Sequence, residues 1–192
     1  MAYEFQVTFD SANPHALAAW WAEALGWVVE PSDEAFIRRM IAEGYATEAD
    51  TATFDGALVW REAAAILHPD DADTGPRRRI YFQLVPEAKV VKNRVHLDVR
   101  VGAENVEAEL ARLTTRGATF LHRGRQGPHT WVTIADPEGN ELCLTCRGAP
   151  RREQPAGRDD PTGSTSPPFG GQPPAGRGRL DETTQFKGGQ VA

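Results

Sequence analysis

One order of elements occurs twice in this chain, and it constrains the fold more than any other feature. Phe5-Gln6-Val7-Thr8-Phe9 alternates apolar and polar residues, the pattern of a strand. Asn13-Pro14 follows, a helix N-cap with proline at the first helical position. The spacing predicts a helix from Pro14 to Leu25, with Leu17, Trp20, Trp21 and Leu25 turned to the core. Gly26 stands where a glycine ends a helix, and a strand over Trp27–Glu30 comes next. The second half repeats the plan. Arg94 to Val101 alternates strictly. A helix over about Glu104–Arg116 places Val106, Leu110 and Leu113 on one face, Gly117 ends it, and Ala118-Thr119-Phe120-Leu121 begins a strand. Gln6 and Gly26 are 20 residues apart, His96 and Gly117 are 21. Repetition at this period predicts two halves of like fold.

Each half closes with further strands. In the first they are expected near Ala57–Arg61, Ala64–His68 and Arg79–Val85, after an inserted helix over Asp33–Gly44. In the second they are Thr130–Ala135 and Asn140–Cys146, joined by Asp136-Pro137-Glu138-Gly139. Asp at the first position, Pro at the second and Gly at the fourth match a type I turn. The fold class expected is α+β, two βαβββ-type halves around a small-molecule cup.

Composition changes at Arg147. The last 46 residues hold 7 prolines and 9 glycines, and their only large apolar residues are Phe169, Leu180, Phe186 and Val191. Such a segment lacks the apolar surface to offset its ordering entropy, so 147–192 is predicted to be a disordered tail behind a domain spanning 1–146. The domain carries 14 Lys/Arg against 22 Asp/Glu, which argues against nucleic acid or an anionic membrane as partner. No apolar run approaches the roughly 20 residues that span a bilayer. Met1-Ala2-Tyr3-Glu4-Phe5 has neither the basic nor the apolar region of a secretory leader. Two cysteines do not indicate a disulfide scaffold. A cytoplasmic, reduced setting is expected.

Strand alternation sorts side chains onto two faces. Phe5, Val7 and Phe9, Val95, Leu97, Val99 and Val101, and the alternate apolar residues of the later strands are expected to pack under the helices. The opposite faces carry Gln6, Thr8, Tyr81, Gln83, His96, Asp98, Trp131, Thr133, Glu141 and Cys143. If the strands curl alike, these residues line one concave surface suited to a ligand. No phosphate-binding loop, dinucleotide fingerprint or nucleophile elbow is present.

Three segments, Asn13-Pro14 through Trp27, Lys92 through Asp98, and Trp131 through Cys143, in this order and spacing, make the chain resemble the vicinal oxygen chelate superfamily. The likeness is to its glyoxalase-like branch and spans about residues 4–146. The resemblance implies paired βαβββ modules forming a cup. Metal-dependent members take one ligand from the first strand of each module and one from the last. Carried over, these positions fall on His96, on Gln6 within one residue, on Gln83, and on Cys143, where metal-dependent relatives usually have Glu. Glu141 lies two residues earlier on the same face. His96, Gln6 and Gln83 are therefore the candidate metal ligands of a weakly charged set. Binding of a divalent metal is expected to be weak or absent, since carboxylates supply most of the affinity for hard cations.

His96 is either a ligand or acid/base group, or a histidine merely hydrogen-bonded to Asp98; the sequence leaves both open. Glu141 is a second acid/base candidate, with a solvated hairpin end as the alternative. Gln6, Thr8, Tyr81, Gln83, Asp98, Trp131, Thr133 and Cys143 are ligand-binding candidates, Trp131 by stacking. Cys143 and Cys146 sit three apart on a strand and so point to opposite faces, which argues against a dithiol or a zinc role for the pair. The expected partner is a small molecule; a homodimer is left open. The chain acts on its ligand as a lyase, isomerase or dioxygenase, or sequesters it without turnover, as antibiotic-binding members of the superfamily do.

Overall fold

The structure, a computed structural model, describes residues 5–71 and 78–146. The tail expected over 147–192 lies outside them. The first module runs β1 (Val7–Ser11), α1 (Pro14–Leu25), β2 (Val28–Val29), α2 (Glu34–Ala42), β3 (Thr51–Phe54), β4 (Ala57–Trp60), β5 (Ala63–Leu67) and β6 (Arg79–Leu84). The second runs β7 (Leu97–Arg100), α3 (Val106–Thr115), β8 (Thr119–Gln126), β9 (His129–Ala135) and β10 (Glu141–Thr145). Two four-stranded sheets result, in the orders β1-β6-β5-β2 and β7-β10-β9-β8. In each, the first strand lies parallel beside the last and forms an edge. This is the βαβββ arrangement twice over. Strands β3 and β4 pair only with each other, so Ala57–Trp60 belongs to an insertion with α2 and not to the module sheet.

Local chemistry explains the helix ends. Asn13 caps α1, its side chain accepting from the Ala16 amide, and Gly26 ends it in the left-handed conformation at φ 68°. Gly117 follows α3 at φ 97°, beyond the range comfortable for a residue with a Cβ. A turn forms where expected, with the Gly139 amide donating to the Asp136 carbonyl.

Helix α1 builds the core. Leu17, Trp20 and Trp21 are buried together with Ile66, Ile80 and Phe82 of the first sheet and Val132, Ile134, Leu142 and Leu144 of the second. Both modules thus share one core. Phe9 joins it at 5.1 Å from Trp21 and 5.5 Å from Phe82, aromatic pairs worth about 0.5–1.5 kcal/mol each beyond area burial. Two expectations fail at strand ends. Phe5 and Val95 are 89 % and 77 % exposed, because β1 starts at Val7 and β7 at Leu97, and alternation places nothing outside the ladder.

Polar contacts join the modules through the 136–140 turn. Glu138 accepts from Ser11 Oγ and from the amides of Ala12 and Asn13, at 2.8–2.9 Å, a carboxylate set against the start of α1. Asp136, almost wholly buried, accepts from Trp21 Nε1, from Asn140 Nδ2 and from the amides of Glu138 and Asn140. Burial pushes its carboxyl above the ordinary range, against the four hydrogen bonds that oppose the rise.

Candidate functional site

The two edge strands flank a cleft of ≈ 820 Å³, walled by β1 on one side and by residues 93–97 on the other. Thr8 lines one wall and His96 the other. His96 precedes β7 by one residue, and its Nε2 lies 3.5 Å from Asp98 Oδ1. At that distance the contact is an ion pair when the ring is protonated, and too long for a good hydrogen bond. Both side chains are well exposed, 41 % for His96 and 60 % for Asp98, and of the two only His96 lines the cleft.

Behind this pair, one cross-strand row traverses all four strands of the second sheet. Asp98 stands opposite Cys143, Cys143 opposite Thr133, and Thr133 opposite His122. Thr133 Oγ1 lies 3.5 Å from Cys143 Sγ and 3.2 Å from His122 Nε2. Donor and acceptor in these contacts depend on rotor and tautomer. Cys143 is buried, and burial, helped by the Asp98 charge, raises its thiol above the ordinary value, so it is protonated at neutral pH. Ligand atoms of His96, Asp98 and Cys143 all lie within 4.8 Å of one another.

His122 is absent from the sequence-based candidates. Plain alternation from Phe120, opposite Ile134, would set Leu121 opposite Thr133. A bulge between Phe120 and His122 inserts one residue and turns His122 to the concave face. No residue type in Thr119–Arg123 announces that bulge.

Glu141 is not a solvated hairpin end. It is buried, and its carboxylate accepts from Lys89 Nζ at 3.0 Å and from the Asn93 amide at 3.1 Å. Burial alone would raise this carboxyl, but the Asn93 and Lys89 contacts prevail and hold it below the ordinary range. An acid so held is a weak proton acceptor.

The first module contributes differently. Gln6 Oε1 accepts from Arg79 Nη1 at 2.6 Å, and Arg79 also pairs with Glu30 at 2.6 Å and lies over the Tyr81 ring. Thr8 stands opposite Tyr81 across the β1–β6 ladder; Gln83, exposed, stands opposite Asp10. Gln6, Tyr81 and Gln83 do not line the cleft, whereas Thr8 and Asp10 do. Trp131 lies against Gly124, where a Cβ would run into the indole, and it borders a separate cavity of ≈ 470 Å³ with Val106 and Arg123. Cys146 is a free thiol near Thr130, apart from Cys143.

A four-ligand metal set drawn from both modules does not fit these residues. The Gln6 oxygen is taken by a guanidinium, and Gln83 brings no charge. Only the second module groups metal-ligating atoms among the described residues.

Paired βαβββ modules, each with its first strand beside its last and a cleft between the two first strands, define the vicinal oxygen chelate class. Within it, the chain belongs to the glyoxalase-like domain family, which matches residues 6–145. No curated protein matches the chain in sequence. Among solved structures it is similar to the fosfomycin resistance protein FosX from Listeria monocytogenes, in a variant complexed with Mn(II) and a dihydroxypropylphosphonic acid. The identity is 9 %, with 76 % of this chain and 92 % of that one covered, at a TM-score of 0.50. A glyoxalase/bleomycin resistance protein/dioxygenase family enzyme from Burkholderia phytofirmans is 15 % identical over 73 % of this chain and 95 % of that one, at 0.46. A glyoxalase-related enzyme from Fulvimarina pelagi is 15 % identical over 77 % and 89 %, at 0.47. The likeness to FosX, at 9 % identity, speaks to the fold alone. No helix among the described residues is long and apolar enough to cross a membrane.

Proposed function

We propose that the chain binds a small organic molecule in the cleft between its modules and that His96, steadied by Asp98, is the residue that handles it. One observation carries this reading: an exposed imidazole lines the cleft with a carboxylate 3.5 Å from its Nε2. With Nε2 turned to Asp98, Nδ1 is left to take or give a proton at a bound molecule. Proton transfer of this kind suits a lyase or isomerase. Thr8 on the opposite wall supplies a hydroxyl for orientation. No step of this reading runs through a metal.

A second reading is a sequestering protein without turnover. The state of Glu141 favours it: the other acid/base candidate is bound to Lys89 and Asn93 and is a poor proton acceptor. A thermal-shift screen of small aromatic, cationic and carbonyl compounds, followed by NMR of any hit incubated with the protein, separates the two. Turnover that disappears in His96→Ala supports the enzyme; binding with an unchanged hit supports sequestration. If hits bind equally well to wild type, His96→Ala and Thr8→Val, the cleft is not the site.

The same reading takes residues 1–146 as the functional domain, in a cytoplasmic setting, with neither nucleic acid nor membrane as partner. A chain ending at Arg147 is then expected to bind the same hits and to melt within a few degrees of the full chain.

A further inference from the structure

We infer that the molecule held between the modules is a short extended peptide, which pairs antiparallel with the free edge of β1 through the backbone of Thr8 and Asp10. This rests on the reading of the cleft as the binding site and names the class of ligand.

The hydrogen-bond parity of β1 sets the site. The Val85 amide donates to the Ser11 carbonyl, so Ser11 turns its backbone groups toward β6. In a strand the backbone groups of successive residues point to opposite sides, so Val7 and Phe9 turn to β6 as well. Thr8, Asp10 and Ala12 turn theirs outward. The Ala12 amide shows what this row does when a partner is in reach: it donates to Glu138 Oε2 at 2.9 Å. Among the described residues, no protein group meets the N–H and C=O of Thr8 or Asp10, and both residues are exposed. Six consecutive residues, Val7 to Ala12, line the cleft. A strand face could contribute only every second one, so it is the edge that opens into the cleft.

Exposed edges are normally guarded against added strands. The outer strand β2 is only two residues long, and β8 carries a bulge together with Arg123 and Arg125. β1 has no Pro, Lys or bulge; its five residues run in unbroken register. From Val7 to Ala12 its edge spans roughly 17 Å, room for about five residues of a partner strand. Antiparallel pairing gives Thr8 and Asp10 two hydrogen bonds each, both to the residue directly opposite.

The surroundings select the peptide. A residue opposite Asp10 puts its side chain on the Asp10 face, where opposite charges attract across the pair. Asp10, Glu87 and Glu138 line the cleft, and Lys89 is held by Glu141, which leaves three carboxylates against Arg94 and His96. A basic side chain is favoured there. The next peptide residue, opposite Phe9, turns to the other face, toward Val7, Phe9 and Leu97, which line the cleft and pack on the core. An apolar side chain fits that place. Val90, Val91 and Val95, also lining the cleft and largely exposed, leave further apolar surface to cover.

The test follows the amide NMR signals of the isotope-labelled full chain titrated with acetyl-Val-Lys-Val-Thr-Val-amide, its Lys facing Asp10 and its Thr facing Thr8. The amide protons of Thr8 and Asp10 should move downfield and exchange with solvent at least about tenfold more slowly, while Phe9, already bonded to β6, changes little. A peptide N-methylated at Lys and Thr, whose amides face β1, should bind at least about tenfold more weakly. N-methylation of the central Val, whose amide points away, should leave affinity in place. Glu for Lys in the peptide should weaken binding, and Asp10→Asn should remove that preference. The inference is overturned if the peptide does not bind, if it binds without moving the Thr8 and Asp10 amides, or if the doubly methylated peptide binds as well as the parent. It is also overturned if both amides are already protected in the peptide-free chain, since the edge is then occupied from within. Small-molecule hits that depend on His96 and Thr8 would in each case leave the binding reading intact; only a cleft that takes neither peptide nor small molecule defeats both.

Discussion

Asp136→Asn is the substitution whose cost can be worked most directly from the structure. The change keeps volume and shape but exchanges one acceptor oxygen for a donor NH2. Each carboxylate oxygen of Asp136 receives two N–H groups: Oδ2 from Trp21 and Asn140 side chains, Oδ1 from the Glu138 and Asn140 amides. Whichever way the amide is placed, two of the four donors face an NH2 group. Leaving a buried donor unsatisfied costs about 1–3 kcal/mol, so two cost about 2–6 kcal/mol. Removing a buried charge returns part of this, and a net loss of about 2–4 kcal/mol is expected at neutral pH. A domain is typically stable by about 5–15 kcal/mol, so the variant should fold and its loss should be measurable. Urea unfolding followed by tryptophan fluorescence is the assay, with Trp21 a direct reporter. The pH dependence has a definite sign. The folded carboxyl lies above its unfolded value, so its contribution is fully present below the unfolded value of 3.8 and is lost as pH rises through the folded one. Wild type should therefore gain on the variant as pH falls from neutral toward that value. A loss below about 1 kcal/mol, or a gap that narrows on acidification, would refute the account of Asp136 as a fully engaged, strained carboxylate.

Three further outcomes are expected. Gly124→Ala should displace the Trp131 indole, shift its fluorescence emission and cost about 1–3 kcal/mol through overpacking. Glu138→Ala should cost about 1–3 kcal/mol in thermal or urea unfolding, since the exposed Ala12 and Asn13 amides regain water but buried Ser11 does not. Leu144→Ala, at a fully buried position, should cost about 2–5 kcal/mol, while His96→Ala should stay within about 0.5 kcal/mol; reversed costs would mean the two faces of the second sheet are misassigned.

Much of the fold was legible because its signals are local. Asn13-Pro14, Gly26, Gly117 and the Asp136–Gly139 turn act through neighbouring backbone, and each appears where its chemistry demands. The alternation that put Leu97, Val99, Val132, Ile134, Leu142 and Leu144 inside rests on a two-residue period that burial cannot violate. What escaped is set over long distances in the chain. Thr51–Phe54 became a strand only because Ala57–Trp60 folds back on it outside the module sheet. Lys89 and Asn93 reach Glu141 across about 50 residues, so a hairpin-end glutamate became a buried, paired one. In the site, His96, Asp98 and Cys143 were each legible as residues of one face. Their mutual closeness depends on the parallel register of β7 on β10, which no short segment encodes.

The separation of the module sheets has a mechanical consequence. Strands β1 and β7 border the cleft yet belong to different sheets, and among the described residues no ladder spans the gap between them. A ladder is stiff along its whole length; here the walls are tied only where the shared core and the Glu138 and Asp136 contacts reach. The cleft is thus a jaw whose compliance is set at one end, by a five-residue turn gripping the start of a helix. Ser11, Glu138 and Asn140 themselves line the cleft, so substitutions there alter its wall as well as its gape. A lineage of such chains can retune the size of what it holds while leaving His96 and its neighbours unchanged.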